Sequence, residues 1–407
     1  MKNLSAILAL SLTAGLMVGA EFLPIPLLTP MAASLHISPG TCGQSVSVSS
    51  IFAILASLGA PLFAGMMNMR RLLVTLALLL VLSLGVGAVA NDLYLIMGSR
   101  ALLGLSVGAF WSLATSLVMR MFPRDEVGRA LSFIYTGNAF AVSLLPAMAS
   151  FLGGIIGWRA VFALFALPLV AATVWLGMAV PALPPVKRSA ATSITAILRR
   201  PVVLWGIGGF VLAFCGIFEI FTYWRPLLST MAKATPDDIS IAFFALGVSA
   251  FFGAALANRM VRAWSLYATR TILPAVLALI TLLFLAAGRH VGSATILMLF
   301  WGLVQSIIPI TASLWVADDI ADAPEAAGGL MNACIQGAIL SGAFIGGDML
   351  DHFGCQGVII ASAVILGLSA LVFCRELLVK RPQSASVQGP AGLGGIHADA
   401  PSPTQEL

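Results

Sequence analysis

The chain has 407 residues, of which 60% are hydrophobic and 9% charged, and its formal net charge is +5. A soluble domain carries roughly a quarter charged residues, and a mean hydropathy of +1.03 is far above what a water-facing surface tolerates. A globular cytosolic enzyme, a disordered chain and a disulfide-rich secreted domain are thereby excluded, and a chain that crosses a bilayer many times is indicated.

Apolar stretches follow one another at 4–28, 46–67, 72–90, 93–119, 130–156, 161–181, 203–224, 241–258, 271–287, 294–317, 327–347 and 357–374. Each can span as a helix, which satisfies its own backbone donors and acceptors without water. The first begins behind Lys2 and passes a small-residue site at Val18-Gly19-Ala20. Its apolar run continues beyond that site, so an uncleaved first helix is expected rather than a secretory signal. Basic residues test the count. With the N-terminus inside, sixteen of the 21 lysines and arginines fall on the inner side. Only Arg159, Arg225, Lys233 and Arg289 fall outside, and Arg100 lies within a span. Positive residues favour the cytoplasmic side. An all-α protein of twelve transmembrane helices with both termini in the cytoplasm is expected. The net charge then reflects topology and gives no reason to invoke nucleic acid.

The second half echoes the first. Pro26-Leu27-Leu28-Thr29-Pro30-Met31-Ala32 returns as Pro226-Leu227-Leu228-Ser229-Thr230-Met231-Ala232, and each copy follows an intramembrane acid, Glu21 and then Glu219. Two six-helix halves, 1–181 and 203–375, are therefore expected, joined by a basic cytoplasmic linker at 182–202 in which a short amphipathic helix could form. Residues 376–407 are expected to be a cytoplasmic tail, disordered where Pro, Gly, Ser and Ala dominate from 382 on. Two halves that rock about a central site form a transporter layout. The five cysteines and four histidines form no metal-ligand spacing. Cys215, Cys334 and Cys374 are expected to pack as small apolar residues, and Cys42 and Cys355 are placed in outer loops. No cofactor is expected.

A charge near the bilayer centre costs at least ~2.5–3.5 kcal/mol, so each one needs a reason. Glu21, Arg100 and Glu219 are the candidates. They either fix helix packing or couple a proton: a carboxyl whose burial and cationic partner change between two conformations loads on one side and unloads on the other. Arg100 suits the partner's role, since a guanidinium stays charged throughout. The remaining polar and aromatic groups in the spans include Trp111, Asn138, Tyr223, Trp301, Gln305, Asn332 and Gln336, with Trp315 as a further flat surface. Asn332 and Gln336 share one helix face. Collected around a cavity, amides and aromatic faces would suit a flat, uncharged solute. Helix packing is the alternative for each tryptophan.

These residues resemble the major facilitator superfamily, in particular its drug:proton antiporter branch and, within that, the bacterial purine-ribonucleoside exporters. The resemblance runs from about residue 4 to 375. It is carried by Glu21-Phe-Leu-Pro-Ile-Pro-Leu-Leu-Thr-Pro-Met-Ala32, Gly43-Gln44-Ser45-Val46, the fourth-span pattern Arg100/Gly104/Gly108 running into Phe110-Trp111, Gly157-Trp158-Arg159, Phe221-Thr222-Tyr223 with Arg225-Pro226, Trp301-Gly302-Leu303, Ile335-Gln336 and Gly346-Gly347. The stretch Gly65-Met66-Met67-Asn68-Met69-Arg70-Arg71 lacks the family's aspartate, and the antiporters' Gly-Pro of span five is reduced to Leu145-Pro146. The resemblance implies a monomer in a bacterial inner membrane that exports a small neutral solute, such as inosine or guanosine, against protons. Export of sugars or of chloramphenicol-type drugs by the same fold is the alternative. An integral-membrane enzyme would need a clustered nucleophile or metal set, which the spans do not offer.

Overall fold

The structure, a computed structural model, describes residues 4–185, 199–320 and 324–384. All secondary structure among them is helical. The first crossing is broken into α1 (Leu4–Phe22) and α2 (Pro24–Leu35). Then come α3 (Pro39–Met66), α4 (Met69–Ala88), α5 (Leu93–Met121), α6 (Arg124–Ile156) and α7 (Trp158–Ala179). The second half opens on another broken crossing, α8 (Pro201–Thr222) and α9 (Trp224–Met231). It continues through α10 (Pro236–Trp264), α11 (Leu266–Ala287), the pair α12 (Val291–Gln305) and α13 (Ile308–Asp319), and α14 (Pro324–Ser384).

Ten stretches among the described residues are long and apolar enough to cross a bilayer. One of them, Gly329–Glu376, spans 48 residues and crosses twice. Its direction proves the reversal. Gly342 and Gly346 lie against Cys215 and Glu219 in ascending order, whereas Ser362 and Ser369 donate to the carbonyls of Gly216 and Gly209 in descending order. The chain turns at Gly354, whose φ of 66° suits glycine alone. With α6 as the remaining crossing, the number is twelve, as the hydropathy predicted. Leu4 and Ser384 therefore lie at the same face, here the terminal face; the opposite one is the distal face.

Backbone geometry repeats like the sequence. Left-handed His36 and Lys233 follow the two short helices, and Gly157 and Gly354 turn the last hairpin of each half; both pairs are 197 residues apart. Several helices begin earlier than hydropathy suggested, because polar first turns carry them beyond the hydrocarbon. Ser38 caps α3 ahead of Pro39, and Thr235 with Asp238 forms a capping box on α10. Cys42 therefore sits buried within α3 rather than in a loop, Cys355 sits within α14, and both are free thiols. Likewise α14 does not give way to tail at 376 but runs to Ser384, held by a buried Glu376–Arg270 ion pair of 2.6 Å. Arg270, placed in an inner loop by the sequence, is 1% exposed, with Tyr267 stacked on its guanidinium. The linker's amphipathic helix (186–198) and the tail from 385 lie outside the described residues.

Lipid chains give helices no hydrophobic reason to associate, so close backbone approach carries the packing. Gly104 and Gly108 on α5 press against the carbonyls of Ser49 and Ala53 on α3, and a Cβ at either would overlap them. In the second half Gly253 on α10 meets the Leu303 carbonyl in the same way. Gly98 on α5 faces open space. A Gly104→Leu substitution should therefore cost ~1–3 kcal/mol by overpacking and lower the thermal midpoint in detergent, while Gly98→Ala leaves it unchanged.

Candidate functional site

The site is built on the break in the first crossing. The Ala20 carbonyl would accept from the amide at position 24 and the Pro26 carbonyl from that at position 30, but both positions are proline. Pro26 deprives the Phe22 carbonyl likewise, so three carbonyls are stripped of helical donors where no water replaces them. Arginines fill two of the three vacancies. Arg100 of α5, fully buried, donates from Nη1 to Ala20 O at 2.9 Å. Arg225 of α9, which belongs to the other half, donates from Nη1 to Pro26 O and, at 3.3 Å, to Ser150 Oγ of α6. Counted as an outer-loop residue from the sequence, Arg225 is only 7% exposed. It joins the halves.

Glu21 lies in the last turn of α1 beside this break. Its Oε1 accepts from Gln336 Nε2 of α14 at 3.4 Å, so the acid stands on the seam between the halves. Arg100 reaches the carbonyl next to Glu21 rather than its carboxylate, and its cation lies 5.2 Å from the Phe162 ring centroid. Neither group faces lipid. One turn toward the terminal face, Asn332 Nδ2 lies 3.4 Å from Ser57 Oγ of α3. Asn138 on α6 has a buried Oδ1 with no hydrogen-bond partner. Trp111 is half-buried and packs edge-on against Phe110 at 5.9 Å.

Other expected site residues are committed to packing. Tyr223, at the α8–α9 break, donates to Ala343 O (2.7 Å) and lies 3.4 Å from Gly40 O, wedged between α3 and α14. Trp301 is buried, stacks on Phe221 at 6.3 Å and donates to Thr281 Oγ1 at 3.3 Å. Trp315 is buried among Phe210 and Arg270 near the terminal face. Gln305 ends α12, half-buried at the break before α13. Glu219 is fully buried, and neither carboxyl oxygen has a hydrogen-bond partner. It does not mirror Glu21. It stands seven residues before Pro226, whereas Glu21 stands five before Pro26, and two residues rotate a helix by ~200°. The backbone N and O of Glu219 lie against Gly342 and Gly346 of α14.

Sequence reasoning missed most of the distal seal. Asp351 of α14 accepts from Ser38 Oγ and, at 3.0 Å, from Gly40 N, so it caps α3 from the other half. Ser240 of α10 bonds Ser150 of α6 at 3.0 Å. Phe22 stacks on Phe218 at 5.6 Å and meets Phe221 edge-on at 5.7 Å. Only the glycines (Gly40, Gly43, Gly346 and Gly347) hinted at this closure, because Tyr223 and Asp351 occupy the space their side chains would need. The cross-half hydrogen bonds that the described residues make run from mid-membrane to the distal face.

A halved, twelve-crossing bundle with a polar seam is a transporter's architecture, and the comparisons with known proteins agree. The profile of the Major Facilitator Superfamily matches residues 10–340. The chain belongs to the major facilitator superfamily. Among curated relatives, the purine ribonucleoside efflux pump NepI of Salmonella enteritidis PT4 is 33% identical over 377 residues, covering 93% of this chain and 95% of that protein. NepI of Salmonella typhimurium strain LT2 matches equally, at 33% over the same lengths. Among solved structures, a D-xylose–proton symporter superposes with a TM-score of 0.73 at 17% identity, covering 91% of this chain and 97% of that one. The nucleoside transporter NupG (D323A mutant) does so with a TM-score of 0.72 at 11% identity, covering 92% and 99%. At those identities the likeness shows the fold. The protein is a multi-pass membrane transporter of this superfamily.

The proline–arginine pairing predicts a compensation. Arg225→Met should cost ~1–3 kcal/mol by orphaning the Pro26 carbonyl, read as a lower thermal midpoint, and should expose buried Cys42 to a membrane-impermeant maleimide. Adding Pro30→Ala restores a backbone donor to that carbonyl. Stability should then recover while Cys42 stays reactive, because the bond between the halves is still missing.

Proposed function

We propose that this transporter exports purine ribonucleosides, of the inosine or guanosine kind, in exchange for protons across a bacterial inner membrane, with both termini in the cytoplasm. The observation that carries the reading is the Glu21–Gln336 contact: a carboxyl on one half touching an amide on the other, beside a helix break. The substrate class is supported by the relatives named purine ribonucleoside efflux pumps, which match over 93% of the chain. The orientation is supported by the excess of lysine and arginine at the terminal face.

In the conformation described, the seam is bonded at its distal half, which corresponds to a carrier closed to the outside. A nucleoside entering from the terminal face meets amides at Asn138, Asn332 and Gln336, with Trp111 as an aromatic face. The base offers donors and acceptors along its edge to the amides and a flat ring to the indole. The solute loads while Glu21 is ionised and held by the Nε2 of Gln336, whose Oε1 remains for the base. Opening of the distal seam lets the solute go and the proton in; the protonated acid no longer needs Gln336 as a donor, and the halves return. Arg100 holds the Ala20 carbonyl throughout and keeps α1 intact beneath the acid. Glu219, whose carboxyl oxygens have no hydrogen-bond partner, is a second carboxyl for a proton rather than a contact for solute.

One proton exchanged for one neutral solute moves one charge, worth ~2.3 kcal/mol per 100 mV. At ~1.4 kcal/mol per factor of ten, ~150 mV sustains a gradient of several hundredfold. Purified protein in liposomes should drive inosine uphill when the receiving compartment is acidic, and movement indifferent to the imposed pH gradient would end the reading. Glu21→Gln should retain inosine–inosine exchange while losing the pH-driven component. Transport of xylose or chloramphenicol in place of nucleosides would keep the fold and replace the substrate.

A further inference from the structure

On the lipid-facing surface of the second half, α8 and the returning arm of α14 leave a groove of about 360 Å³. Pro201, Leu204, Trp205, Gly208, Leu212 and Val372 line it. Gly208 makes the floor, since a Cβ there would meet nothing within 4 Å, while Leu204 and Trp205 on either side stand 52% and 43% exposed. From Pro201 to Leu212 α8 rises ~16 Å. That is about the depth of one leaflet's hydrocarbon, ~15 Å.

Charge collects at one end only. Arg375 follows Val372 by one turn, is exposed, and lies with its guanidinium carbon 4.4 Å from the Trp205 ring centroid. Arg199 and Arg200, both exposed, lead directly into Pro201. Stacking fixes the plane of the Arg375 guanidinium and leaves its in-plane N–H groups for a bidentate oxyanion. Trp205 is placed where indoles favour the headgroup level. A matching ligand is apolar for one leaflet's depth and anionic at its head.

We propose that this groove binds an anionic phospholipid, with one acyl chain along Leu204, Gly208 and Leu212 and the phosphate among Arg375, Arg200 and Arg199. A second lipid-facing groove, between α6 and α10 near the distal face, has equally apolar walls but carries Asp237 at its rim. A phosphate would be repelled there, so shape alone does not make the assignment. The assignment also does not depend on which solute crosses the membrane.

Native mass spectrometry of the full-length protein, released from detergent after incubation with equal phosphatidylglycerol and phosphatidylcholine, tests it. Phosphatidylglycerol should be retained preferentially. Arg375→Gln and Arg200→Gln should each weaken its retention roughly fivefold, the effect of removing one basic residue near a lipid surface. Gly208→Leu should fill the groove and displace the lipid without changing the thermal midpoint of the lipid-free protein. Equal retention of both lipids, or phosphatidylglycerol retention unaltered in Gly208→Leu, overturns the proposal. So does a cross-link from a photoreactive residue at position 208 into the chain's own linker instead of to lipid.

Discussion

A carbonyl that proline deprives of its helical donor has nowhere to turn inside a bilayer. Ala20 and Pro26 are both in that position, and each is satisfied by a buried arginine, Arg100 from the same half and Arg225 from the other. The cost of burying a guanidinium, at least ~2.5–3.5 kcal/mol at the bilayer centre, is offset by charge-assisted bonds to acceptors that would otherwise be unpaired. The arginines and the prolines therefore explain each other. The break they stabilise sets Glu21 at the end of α1 and separates α2 as a short helix that can meet its counterpart α9 across the seam.

The duplication is faithful in backbone and unfaithful in chemistry. Both halves open on a broken crossing, end their short helices on a left-handed residue and turn their last hairpins at a left-handed glycine. Both use glycine-to-carbonyl contacts to draw core helices together. The acids, in contrast, differ in their bonding. Glu21 accepts from Gln336 across the seam, whereas neither carboxyl oxygen of Glu219 has a hydrogen-bond partner. The repeated scaffold thus carries unlike groups at its centre: Glu21 in the first half and Asn332 with Gln336 in the second.

Crossing number and helical class were legible in hydropathy, because lipid demands long apolar helices whatever their neighbours are. The repeated Pro-Leu-Leu segment likewise announced two related halves, though not the breaks in their first crossings. Convergence was not legible. Which face a residue presents depends on helix rotation, and neighbours set that rotation. Trp301 and Trp111 look alike in sequence, yet the first is locked in an aromatic stack and only the second stays half-buried. Arg225 counted as an outer charge because a loop and a buried break look the same in a tally of basic residues. Gln336 was found through its polarity within a span, but its contact with Glu21 emerged only from the packing of α14 on the first half.

The seam has the composition of something made to open. Among the described residues its polar cross-half contacts are hydroxyl, amide, carbonyl and carboxyl hydrogen bonds, with Arg225 on a carbonyl and a hydroxyl; the ion pairs, Arg270–Glu376 and His352–Asp348, both lie within one half. Hydrogen bonds between membrane helices average ~0.6 kcal/mol, so a handful holds the distal side shut by a few kcal/mol. That is the scale of one charge falling through ~150 mV at ~2.3 kcal/mol per 100 mV. A seam of cross-half ion pairs would be harder to open, since separating buried partners leaves each charge uncompensated. The individual contacts are thus weak enough to be broken and remade one at a time.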